Sequence, residues 1–89
     1  MEQRLSVRKP INCRIEGVSG TEKFVAEGFD ISDHGVSFKT EHRLPLDSEA
    51  ILHYRLDDDG PMISAHVRII REGGGRYGAT FLDRKQPTA

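Results

Sequence analysis

The chain has 89 residues, enough for one domain with a modest core, and 36% of them are hydrophobic. Its 13 basic and 14 acidic side chains leave a formal charge of -1, which lacks the strong positive excess of a non-specific nucleic-acid binder. The single cysteine, Cys13, excludes an internal disulfide and suits a reducing cytoplasm, and no apolar run reaches the length of a secretion signal or a membrane span.

Nine glycines and four prolines favour turns over long helices. Residues 1–10 read as an extended polar arm that carries Arg4, Arg8 and Lys9, with Pro10 biasing Lys9 away from helix. Residues 11–16 alternate, with Ile11, Cys13 and Ile15 on one side. A second strand over 24–31 has Val25, Phe29 and Ile31 in phase. Glu27 breaks that phase, which points to an edge or a bulge, and Gly28 beside it suits a bulge. The third strand turns Val36, Phe38 and Thr40 inward.

Residues 41–49 form a connection in which Leu44 and Leu46 are expected to plug one end of the core, with a single helical turn over 45–48 as an option. Residues 50–56 alternate again, setting Leu52, Tyr54 and Leu56 against Ile51, His53 and Arg55. Asp57-Asp58-Asp59-Gly60 is a hairpin turn, since Asp-Gly is the favoured chemistry there. Ile63, Ala65, Val67 and Ile69 give the cleanest period-two signal in the chain. After a Gly73-Gly74-Gly75 turn, Tyr77, Ala79 and Phe81 mark the last strand, and 84–89 reads as a disordered tail. Six short strands would leave open edges in a flat sheet, so the expected fold is all-β and closed or nearly closed, with the barrel over 11–83.

Two sets of residues offer chemistry. Arg4 and Arg8 are four apart and can converge on one ligand, each with a fork of donors for phosphate and a flat face for a base. Alone, such a pair serves equally well as a solvated arm. Asp30, Ser32 and Gly35 crowd a tight turn, where an aspartate can accept paired N–H donors from a guanine edge and a hydroxyl can hold a phosphate oxygen. Alone, they are also what an Asx or Ser turn requires. Gly35 is expected to take a φ that side chains resist. Arg68 and Arg71 on the fifth strand either supply a further phosphate contact or face solvent.

Taken together, the Arg4-Leu5-Ser6-Val7-Arg8 segment and the Asp30-Ile31-Ser32-Asp33-His34-Gly35 segment resemble the paired motifs of the PilZ domain, a bacterial receptor module for cyclic di-GMP. The resemblance extends to Tyr77-Gly78-Ala79-Thr80-Phe81 as the closing strand. It implies a six-stranded antiparallel β-barrel with a flexible N-terminal arm. In that picture Arg4 and Arg8 stack on guanines and clasp phosphates while the arm wraps the ligand. Asp30 and Ser32 read the guanine edge and hold the phosphate side, and Gly35 allows close backbone approach. One or two ligand molecules fit such a site.

The chain departs from many relatives in having little or no C-terminal helix, and Asp33 adds negative charge that His34 offsets only when protonated. The expected function is therefore a stand-alone, non-catalytic cytoplasmic receptor without a cofactor. It would bind cyclic di-GMP, rearrange its arm and signal to a separate protein effector, with neither a nucleic-acid polymer nor membrane insertion involved. The alternative is a PilZ-type adaptor that does not bind nucleotide. The modest net charge, the absence of Trp and the lack of an interleaved basic and aromatic surface argue against a small RNA-binding barrel. His34, His42, His53 and His66 are scattered, so a metal centre is not expected, and no nucleophile, base and orienting group are placed together for catalysis.

Overall fold

The computed structural model describes residues 8–85. Their strands are β1 (Lys9–Pro10), β2 (Arg14–Ser19), β3 (Glu22–Ile31), β4 (Gly35–Lys39), β5 (Glu49–Tyr54), β6 (Ile63–Gly73) and β7 (Arg76–Lys85). All pairings are antiparallel. The six longer strands run in the order β3-β2-β5-β6-β7-β4, and β4 pairs back to β3, which closes the barrel. Closure leaves no long sheet edge to template association. Among the described residues there is no helix at either end.

The expected first strand is split. Ile11 and Cys13 lie between β1 and β2, yet the chain keeps its course along β3: Ile11 N–H donates to the Phe29 carbonyl, and Gly28 N–H donates to the Cys13 carbonyl. β1 thus lies beside the end of β3, with Pro10 opposite Asp30 and Lys9 opposite Ile31. At the other end, β7 continues two residues past the expected boundary at 83, pairing Lys85 with Ser64.

The core follows the period-two pattern in most strands. Ile63, Ala65, Val67 and Ile69 are all buried, as are Val36, Phe38 and Thr40. Besides Phe29 on β3, three positions break the expectation. Val25 is 53% exposed, because Phe24, Ala26 and Gly28 are the inward residues of β3. Leu46 and Leu56 are exposed as well, leaving Leu44 alone to plug the connection. Leu56 lies beyond the end of β5, where the alternation has nothing left to pair against. Leu46 sits in a turn closed by Ser48 N–H on the Pro45 carbonyl, which takes the place of the optional helical turn.

Candidate functional site

Of the three register shifts in the β ladder, two decide which side chains reach the outer face here. On β3 the register shifts between Gly28 and Asp30, because Gly28 faces Phe38 and Asp30 faces Ser37 on β4. Strict alternation after Phe24, Ala26 and Gly28 would have driven Asp30 into the core. The bulge instead puts Phe29 and Asp30 outward together and returns Ile31 to the interior. On β6 the register shifts between Ile69 and Arg71. Arg71 has the same parity as Ile63, Ala65, Val67 and Ile69, so without the extra residue Ile70 it too would point inward.

The two bulges put both residues on one transverse row. Asp30 on β3 faces Ser37 on β4, Ser37 faces Gly78 on β7, and Gly78 faces Arg71 on β6. Three inter-strand steps set the carboxylate and the guanidinium backbones roughly 14 Å apart. The middle of the row is low, since Ser37 is small and Gly78 has no side chain. A β-carbon on Gly78 would meet the Arg71 guanidinium at 2.8 Å, so the glycine lets that arginine lie close over β7.

A cleft of about 400 Å³ lies over this row, lined by Arg8, Asp30, Ser37, Arg71, Arg76 and Gly78 together with Glu72 and Tyr77. Three guanidiniums face two carboxylates there. Arg8 Nε donates to Asp30 Oδ1 at 2.8 Å, and Nη2 approaches the same oxygen at 2.6 Å. Both side chains are part-exposed, so the pair stabilises the fold by at most about 1 kcal/mol and is readily exchanged for another partner. Arg76 reaches across β4 toward β3, with Cζ 4.4 Å from the centre of the Phe29 ring. A larger hollow of about 640 Å³ lies beyond the β6–β7 hairpin. Its lining includes Leu44, Pro45 and Leu46, with two cations, Lys39 and Arg43, against the carboxylates of Glu41 and Glu72.

Of the residues picked out in the sequence, Arg8, Asp30 and Arg71 come together here; Arg4 lies outside the described residues. Ser32 and Gly35 build the turn beside the cleft. Ser32 Oγ accepts from His34 N–H at 3.2 Å and from Gly35 N–H at 3.3 Å, so the side-chain turn is real. Gly35 does not take a positive φ, contrary to expectation. Its constraint is contact: a β-carbon there would overlap the Ala79 carbonyl oxygen of β7. Among the described residues positive φ falls instead at Gly20, Asp47, Gly74 and Gly75, the last two as a two-residue β6–β7 hairpin demands.

Arg68 is not part of the cleft. It donates to Glu49 Oε2 at 3.0 Å, while His66 Nε2 lies 2.6 Å from Glu49 Oε1. The hydrogen bond from Arg68, then that from His66, holds the Glu49 carboxyl below its ordinary value. Because the folded value is depressed, the stabilisation is present at neutral pH and is lost as pH falls through it, below 4.5. Acid-unfolding curves of the wild type and of Glu49→Gln are therefore expected to differ slightly at neutral pH and to converge in that acid range.

Cys13 is half-buried, and burial pushes its thiol up, so it is a poor nucleophile at neutral pH. Among the described residues no three metal-ligating side chains cluster, and no helix is long and apolar enough to cross a membrane.

Sequence reasoning missed Arg76, Phe29, Ser37 and Gly78. The signal for Arg76 was available, since it shares parity with Gly78 and Thr80 on the outward side of β7. The position of Phe29 depended on the bulge, and a phase counted through Gly28 placed it wrongly with Ile31.

The family model described as the PilZ domain matches residues 2–88. This chain belongs to the PilZ family. PilZ domains are non-catalytic receptor and adaptor modules associated with cyclic di-GMP. Two solved structures share the PilZ barrel. One is the Bacillus subtilis inhibitor of motility (MotI/DgrA), with TM-score 0.79 and 13% identity over 96% of this chain and 45% of that one. The other is the PilZ domain of CeSA from a cellulose-synthesizing bacterium, with TM-score 0.72 and 23% identity over 88% of this chain and 82% of that one. At these identities the likeness speaks to the fold, and the chain spans less than half of the motility inhibitor. No curated protein matches the chain.

Proposed function

We propose that this PilZ domain is a cytoplasmic receptor that binds cyclic di-GMP in the cleft over the Asp30–Ser37–Gly78–Arg71 row and signals to a separate protein. The observation that carries the reading is the pair of bulges. Each turns outward a charged residue that strict alternation would bury, and both charges face one cleft. Asp30 accepts the N–H donors of a guanine edge, and Arg71 with Arg8 takes the phosphates through charge-assisted hydrogen bonds. Arg4, four residues before Arg8 in the motif, would supply the second arginine contact to the ligand. Ser32 and Gly35 hold the turn that carries Asp30, and Ser32 lies on the phosphate side. Arg8 leaves Asp30 when the ligand arrives, which frees the carboxylate for the base and the guanidinium for the phosphate. That exchange is the change in the arm that a partner protein reads.

The Arg8–Asp30 pair also favours a second reading, an adaptor that binds no nucleotide, because it satisfies both charges internally. Calorimetric titration with cyclic di-GMP, run beside GTP and cyclic AMP, separates the two. Saturable heat with cyclic di-GMP alone is the expected result; none with any of the three leaves the adaptor.

A further inference from the structure

Arg76 belongs to neither the Arg4–Arg8 nor the Asp30–Gly35 segment, and the ladder alone does not explain its pose. It is exposed, yet its guanidinium is held over the half-buried Phe29 ring on a different strand. Phe29 is outward only because of the β3 bulge, and the same bulge sets Asp30 next to it. Arg76 also lines the cleft, and a guanidinium resting on an aromatic ring has a second flat face for another partner. That second face is a flat, cationic surface beside a carboxylate able to bind a base edge.

We propose that Arg76, seated on Phe29, is a base-stacking residue of this cleft and makes it selective for ligands that carry a purine. The inference rests on the cyclic di-GMP reading and adds to it a specificity determinant. A purine whose edge meets Asp30 lies over Arg76, in a column of ring, guanidinium and base. Charge alone would be supplied equally by lysine, but lysine offers no plane to stack on.

The test is titration of cyclic di-GMP into the wild type, Arg76→Ala, Arg76→Lys and Phe29→Leu, with ultraviolet hypochromism of the guanine band recorded beside the heat. Arg76→Ala is expected to weaken binding roughly tenfold. Arg76→Lys is expected to keep the wild-type dependence of affinity on salt but to lose most of the hypochromism. Phe29→Leu, which leaves every charge in place, is expected to weaken binding a few-fold by freeing the guanidinium. Wild-type affinity and hypochromism in Arg76→Lys would overturn the stacking role while leaving the receptor reading intact. Absence of binding by the wild-type chain would overturn both.

Discussion

Arg8→Ala is expected to weaken cyclic di-GMP binding by roughly a hundredfold and to leave the thermal unfolding midpoint within a few degrees of wild type. Hydrogen bonds to charged groups contribute about 1.5–3 kcal/mol each when one partner is removed. Arg8 is the described motif arginine, and its fork already points into the cleft, held by Asp30 at 2.6–2.8 Å. Stability should barely change, because the Arg8–Asp30 pair is part-exposed and contributes little. The control is Arg68→Ala. Arg68 lies on the outer face of β6 but pairs with Glu49, away from the cleft. Its loss removes the same charge from the protein and should leave affinity nearly unchanged. Calorimetry and thermal denaturation of both variants make the comparison. Equal losses in the two would mean that the ligand senses only overall charge, and the cleft would no longer be its site.

The second large effect is on folding. Gly35→Ala is expected to destabilise the domain by about 3 kcal/mol, the upper end of overpacking costs. For a domain of this size that lowers the unfolding midpoint by roughly 10–20 °C. The cause is the approach of β4 to β7. Gly35 pairs with Thr80, and a β-carbon would overlap the Ala79 carbonyl oxygen, which cannot swing aside as a side-chain tip can. The strands must separate or the turn must shift, and the neighbouring bond from Phe81 N–H to the His34 carbonyl at 2.8 Å would be strained with them. Circular dichroism melting measures the loss. If Gly35→Ala melts like the wild type but no longer binds cyclic di-GMP, the glycine serves the ligand and this account of it fails.

The strands could be read from residue type because inward positions repeat every second residue where the ladder is regular. On β6, Ile63 to Ile69 keeps the period although the pairing with β7 shifts register between His66 and Val67, and Tyr77 and Ala79 keep it on β7. The cleft was half legible. Arg8 and Asp30 stand in recognisable spacings, so they were found. Arg76 and Phe29 meet only through tertiary pairing of β7, β4 and β3, which no local pattern encodes. The bulges explain the errors of phase. One extra residue flips every later side chain to the opposite face, so Val25 and Ile31, apparently alike in sequence, face opposite ways. Gly35 illustrates a different limit. A glycine required by close contact with a distant strand looks the same in sequence as one required by its own backbone dihedral.

The barrel closes by joining its last strand to its fourth, and this orders events in time. Arg8 enters from just before β1, Asp30 from β3, Arg71 from β6, and Gly78 and Arg76 from β7. A nascent chain still threaded through the ribosome with β7 unmade has the carboxylate but lacks the Gly78 floor and one of the three cations, Arg76. Such pairing between remote segments is slow, since loop closure must precede any contact that rewards it. A complete cleft is thus acquired only when β7 pairs, in the same step that closes the barrel.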